Sequence, residues 1–215
     1  MPSSVKITCS GILFDSDGVL VDSHAQVVEA WSQLAVEFDL DIETLLGTLV
    51  GVRAHDTLGR FLQPDRLPSA VARLEDLEVE LATATSALRG APELLDTLPP
   101  GSWTIVTSAS RRLGEARWRG AGLPVPERVV TADDVSLGKP HPEPFMLGAD
   151  FLGLAGTQCV VFEDSAPGGV AARAAGASVV AVGEQPWPEP PSARVIDLHE
   201  VIVRSNGRHL ELELG

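Results

Sequence analysis

Apolar residues follow two rhythms along this chain. In one, apolar residues stand side by side in a short run: Gly11-Ile12-Leu13-Phe14, and similar runs over 103–107, 128–131, 159–162 and 178–182. A parallel strand buried on both faces reads this way, because neither face meets water. In the other rhythm, over 112–119, 143–152 and 168–175, apolar residues return at helical spacing. Strand and helix alternate. The pattern predicts an α/β fold, a Rossmann-like parallel sheet flanked by helices on both faces.

Residues 22–88 break that alternation. Asp22-Ser23 can cap a helix whose apolar stripe is Val27, Trp31, Leu34, Ala35 and Phe38. Shorter helices are expected near 42–49 and 55–62, and a longer one on Leu74, Leu77, Leu81, Ala84 and Leu88. No strand signal interrupts them. A coiled-coil arm would need the stripe to outlast about two heptads. The expectation is an inserted all-helical domain over 21–88, with the catalytic core formed by 1–20 and 89–215. Its hinges should fall near Val19–Asp22 and Leu88–Pro92, where Gly18, Gly90 and Pro92 punctuate the chain. Farther on, 185–191 is a proline-rich loop. Runs over 201–204 and 208–214 flank Ser205-Asn206-Gly207, a hairpin signal.

Composition narrows the partners. The 215 residues carry a formal charge of −14, which argues against nucleic-acid phosphates and anionic membranes. Cys9 and Cys159 sit among apolar residues and read as reduced, buried thiols of a reducing compartment. The first ten residues lack the apolar core of a secretion signal, and no run reaches the ~18 residues that span a bilayer. A cytoplasmic monomer or weak homodimer is expected.

Four segments carry candidate chemistry, each at the end of a predicted strand or in the loop beyond one. Asp15-Ser16-Asp17-Gly18 places two carboxylates where open parallel sheets collect ligands, though an Asp-rich surface turn has the same composition. Thr107-Ser108-Ala109-Ser110 offers hydroxyls and N–H groups to an anion, or simply caps the next helix. Lys139, between Gly138 and Pro140, is either a phosphate partner or a solvated cation. Glu163-Asp164-Ser165 supplies hard oxygen ligands of the kind Mg²⁺ prefers, or caps the helix before Pro167.

Taken together and in this order, FDSDGVLVDS, VTSAS, GKP and VVFEDS resemble the haloacid dehalogenase superfamily, in its phosphatase and phosphomutase branch. The helical insert resembles that family's cap of the first type. The resemblance implies that Asp15 attacks phosphorus to form an aspartyl-phosphate and that Asp17 serves as general acid and then base. It implies that Ser108 and the Ala109 N–H hold phosphoryl oxygens and that Lys139 neutralises charge. It also implies Mg²⁺ on Asp15, the Asp17 carbonyl and Asp164, with Glu163 in support.

Within the superfamily, dehalogenases generally lack an acid at the Asp17 position, and phosphonatases use a cap lysine. No lysine lies between Lys6 and Lys139. β-Phosphoglucomutases carry a cap histidine where this chain has Val27, and an arginine where it has Ala54. GVRAHDTL and TSASRRLGEARWRGAGLPVP are more similar to the 2-deoxyglucose-6-phosphate and glycerol-3-phosphate phosphatases. The expected activity is Mg²⁺-dependent hydrolysis of a small phosphorylated sugar or polyol. A sugar phosphomutase is the runner-up, and a catalytically silent binding module the rival from another class. In the cap, Arg53 is the candidate substrate contact; His55 lies beside it.

Overall fold

Four of the five apolar runs, those beginning at 11, 103, 159 and 178, supply strands of a parallel sheet covered on both faces. The structure, a computed structural model, describes residues 5–49, 51–207 and 209–215; the first four residues of the leader reading and Arg208 of the hairpin reading lie outside them. The chain first forms β1 (Val5–Cys9), β2 (Gly11–Phe14) and β3 (Val21–Asp22). Then come α1 (His24–Phe38), α2 (Ile42–Leu46), α3 (Ala54–Leu58), α4 (Leu67–Leu81) and β4 (Ser86–Ala87). It continues through α5 (Ala91–Thr97), β5 (Trp103–Ile105), α6 (Arg111–Gly120), α7 (Glu143–Phe151), β6 (Cys159–Glu163) and α8 (Ala166–Ala174). It ends with β7 (Ser178–Val182), β8 (Ala193–Val195), β9 (Val201–Ser205) and β10 (Leu210–Leu214).

The central sheet has the order β5-β2-β6-β7-β8, all parallel. Period-two alternation sorts β2 and β6 onto two cores. Ile12, Phe14, Val160 and Phe162 pack with α5, α6 and Trp118, whereas Leu13 and Val161 pack with Phe145 of α7 and Ala171 of α8. Phe14 pairs in register with Ile105 and Phe162, so the three strands end side by side. That register brings Asp15, Thr107 and Asp164 to one edge of the sheet.

The structure corrects several expectations. The run 128–131 makes a single bridge, Val130 to Val106, because a helical turn over Ala132–Asp134, capped by Thr131, takes the chain away at once. β1, β8 and α5 form without a signal in the apolar pattern. The hairpin β9–β10 does form, but it joins β1 in a separate antiparallel sheet, β1-β10-β9, with Leu210, Leu212 and Leu214 buried.

The insert has its own core of Trp31, Leu34, Leu45, Leu58, Leu74 and Leu77. It is not purely helical: β3 and β4 pair antiparallel, Val21 with Ala87 and Asp22 with Ser86, with β3 inside the expected 19–22 segment and β4 just before the expected 88–92 segment. The longer helix starts at Leu67, with Pro68 in its first turn, and ends at Leu81 rather than Leu88, because the chain tightens over Ala82–Ala84 and extends at Thr85 to enter β4. Ser23 occupies the N-cap of α1, yet its hydroxyl makes no cap bond. Trp31, Trp103 and Trp118 are buried. Trp187 packs against Gly169 and Arg173. Both cysteines are free, and burial pushes their thiols up to about 12 for Cys9 and about 11 for Cys159.

Candidate active site

Asp15 leaves the end of β2 with its N–H bonded to Phe162 O at 2.9 Å, which fixes the backbone between the two strands. Lys139 is 2% exposed. Its Nζ lies 2.5 Å from Asp15 Oδ1, 2.8 Å from Glu163 Oε1 and 3.2 Å from Val106 O, with the Phe145 ring beneath it. The solvated-cation reading of Lys139 therefore fails. The other oxygen of Glu163 accepts from the N–H and hydroxyl of Ser165 at 2.6 and 2.8 Å. Glu163 is thus engaged on both oxygens and orients Lys139.

Asp164 is different. No hydrogen bond or ion pair from the described residues holds its carboxylate, and burial together with Glu163 and Asp15 pushes its pKa well above the usual range. One ammonium does not offset this many buried carboxylates. Burial lifts Asp15 to about 7, with Lys139 opposing and Glu163 and Asp17 adding. Lys139 is held charged by its two carboxylate partners despite its own burial. Oxygens of Asp15, Glu163 and Asp164 all lie within 4.8 Å of one another. A hard divalent cation fits this donor set: it would supply the charge the cluster lacks and take the oxygens Lys139 leaves open. Gly18 belongs to the same construction. Its φ is +79°, and a side chain there would collide with the Asp164 carboxylate.

Asp17, two residues on, is contacted on Oδ1 by two described residues, Ser23 Oγ at 2.5 Å and Arg117 NH1 at 3.0 Å. Arg117, on α6, is 4% exposed, and its NH2 reaches Glu78 Oε1 of α4 at 2.9 Å. Across the crevice, Ser108 Oγ donates to Gly51 O at 3.1 Å, and the Ala109 N–H donates to Thr107 Oγ1 at 3.1 Å. Ser110 caps α6 through Leu113 N and donates its hydroxyl to Glu75. The capping alternative thus holds for Ser110, while Ser108 faces the insert.

Asp15, Asp17, Ser108, Ala109, Ser110 and Arg117 line a cavity of about 540 Å³ between the sheet edge and the insert. Its insert side is apolar at Val27, Trp31 and Val71, and acidic at Glu75 and Glu78. Arg53 and His55 also reach it. The Arg53 guanidinium is already engaged: it pairs with Asp56 at 2.7 Å and donates to Val135 O and Ser136 O at 3.2 Å. Sequence reasoning misses Ser23, Glu78 and Arg117. Arg117 does carry a signal, since it shares the apolar face of α6 with Leu113, Gly114 and Trp118. A charge on a buried helical stripe asks for a partner.

Comparison with known proteins identifies the family. The sequence pattern of haloacid dehalogenase-like hydrolases matches residues 9–176. Hexitol phosphatase A of Escherichia coli is 42% identical over 179 residues, covering 81% of this chain and 83% of its own. Fructose-1-phosphate phosphatase YqaB of the same organism is 32% identical over 184 residues, covering 80% and 96%. Among solved structures, β-phosphoglucomutase of Clostridium difficile superposes with a TM-score of 0.78 at 22% identity, over 88% of this chain and 92% of its own. At that identity the likeness concerns the fold.

Proposed function

The chain belongs to the haloacid dehalogenase-like hydrolase family, and on that premise we infer that it hydrolyses the phosphate monoester of a small sugar or polyol, through an aspartyl-phosphate on Asp15 and with Mg²⁺ as its cation. The observation that carries the reading is Asp15, bonded to Lys139 and with the Asp164 carboxylate close by, at one wall of a cavity whose opposite wall comes from the insert.

Asp15 attacks phosphorus while Asp17 gives a proton to the departing alcohol oxygen; Asp17 then takes a proton from the water that frees Asp15. Lys139 offsets charge on Asp15 and the phosphoryl group, and Glu163 keeps Lys139 in place. Ser108 Oγ and the Ala109 N–H, whose present partners are one carbonyl and one hydroxyl, turn to phosphoryl oxygens when substrate enters. Mg²⁺, held by Asp15, the Asp17 carbonyl and Asp164, would supply electrostatic stabilisation of the phosphoryl charge. We take residues 21–88 as the cap, hinged at β3–β4. Arg53 acts in it as a latch: its bonds to Val135 O and Ser136 O tie the cap to a core loop.

The cavity also selects the leaving alcohol. Both arginines that line it are paired, Arg53 with Asp56 and Arg117 with Asp17 and Glu78; of the other acids on its wall, Glu75 pairs with Arg112 at 3.4 Å, and Asp133 adds negative charge. A neutral, hydroxyl-rich alcohol suits these carboxylates; a second phosphate or a carboxylate does not. The same point weighs against the mutase alternative, which needs a seat for a second phosphate where Val27 and Ala54 are apolar.

The test is phosphate release, with Mg²⁺ and with chelator. The panel is a hexitol phosphate, glycerol phosphate, fructose 1-phosphate, phosphoglycolate, fructose 1,6-bisphosphate and β-glucose 1-phosphate. Mg²⁺-dependent release from the first three, with little from phosphoglycolate or the bisphosphate, is expected. Conversion of β-glucose 1-phosphate to the 6-phosphate without release would mean a mutase, and no turnover of any kind the silent module.

A further inference from the structure

Arg117 has a place in the molecule that ordinary packing does not explain. It stands on the core helix α6, is buried, and spends its guanidinium on one carboxylate from each side of the cap boundary: Asp17 beside the hinge and Glu78 on the cap helix α4. Glu78 stands on α4 beside Leu74 and Leu77, which belong to the cap's own core, and that core sets its position. Breaking a buried pair by removing one partner is costly, so this arrangement exists whole only when the cap is docked. At Asp17, Arg117 and Ser23 both contact Oδ1. Two anchors on one oxygen fix the plane of the carboxylate and leave Oδ2 as the oxygen able to carry a proton.

We propose that Arg117, locked by Glu78 of the docked cap, is the positioning residue for Asp17: it decides which carboxylate oxygen delivers the proton, and makes that delivery conditional on cap closure. The proposal rests on the reading of Asp17 as the acid. In the step concerned, an Asp15 oxygen bonds to phosphorus, the phosphorus–ester oxygen bond breaks, and the proton on Asp17 Oδ2 moves to the leaving oxygen. In the second step, water's oxygen bonds to phosphorus, its proton returns to Asp17, and Asp15 leaves. Arg117 exchanges no proton in either step.

Leaving-group chemistry separates positioning from bulk structure. A polyol alkoxide needs the proton, whereas the phenolate of p-nitrophenyl phosphate departs without one. The ratio kcat/KM reports the steps up to departure of that first group. Arg117→Met should therefore lower kcat/KM about 10²-fold for a polyol phosphate and less than about fivefold for p-nitrophenyl phosphate. Glu78→Gln, which keeps the shape but weakens the lock, should show the same selectivity at about tenfold. Thermal melting checks the fold of each. If Arg117→Met melts early from the unpaired Glu78, the double variant Arg117→Met/Glu78→Met removes both charges and should show the selective loss in a stable protein. Equal losses on both substrates, or none, overturn the proposal while leaving the phosphatase standing. A wild-type protein that releases no phosphate from any polyol phosphate overturns the functional reading, and this proposal with it.

Discussion

Lys139 Nζ and Asp15 Oδ1 meet at 2.5 Å in the interior, and Glu163 Oε1 holds the same ammonium from the other side at 2.8 Å. The nucleophile's counter-charge is thus part of the core. Lys139→Met should remove turnover and also cost about 3–5 kcal/mol in chemical denaturation, since it leaves buried carboxylates without a partner. Lys139→Met combined with Glu163→Gln should recover part of that stability and none of the turnover. A single variant of wild-type stability would contradict this picture.

The pH dependence of cation binding has a definite sign. Burial lifts Asp15 to about 7, against an ordinary value of 3.8. The folded state therefore keeps a proton that the unfolded chain releases. This group's stabilising contribution is complete below about 4 and is lost as pH rises through about 7. A cation needs the ionised carboxylates, so Mg²⁺ should raise the melting temperature more at pH 8 than at pH 5. At saturation the gain is roughly 5–10 °C. Asp164→Asn should abolish most of the shift; an equal shift at both pH values would contradict the assignment.

Arg53 bridges cap and core. Arg53→Gln removes charge-assisted bonds worth about 1.5–3 kcal/mol each, of which water returns part, so a drop in kcat/KM of about tenfold is expected. The melting temperature should hardly move, because the latch joins two parts that each keep their own core. A loss of stability matching the loss of activity would make Arg53 a structural residue instead.

Ser108 Oγ has a carbonyl as its partner in this structure, Gly51 O at 3.1 Å. If the phosphoryl group takes its place, Ser108→Ala should lower kcat about 10²-fold with unchanged melting. An effect below twofold would place phosphate recognition elsewhere.

Much of this site is legible in the sequence because it lies on fully apolar strands. Runs such as Gly11–Phe14 and 159–162, too short for a helix and apolar throughout, read as strands covered on both faces, and the residues just beyond them emerge at the sheet edge. β8 is invisible for the opposite reason: Ala193-Arg194-Val195 is short, has an exposed centre and comes after prolines. Residues 128–131 have the composition of a strand, but only Val130 finds a partner. The longer cap helix stops short of its predicted end because Leu88 continues the apolar stripe that the β3–β4 ribbon ends. Glu78 and Arg117 stand 39 residues apart, on helices from opposite sides of the cap boundary, and no local pattern joins them. Ser23 reads as a helix cap, and only the fold turns its hydroxyl to Asp17.

The most direct test of the aspartyl-phosphate mechanism is turnover of a hexitol phosphate with Mg²⁺ by the wild type and by Asp15→Asn. Asparagine keeps the shape and removes the nucleophilic oxygen, so activity should fall by at least about 10³-fold with the melting temperature preserved or raised. Retained turnover by Asp15→Asn would show that phosphorus is attacked by some other group.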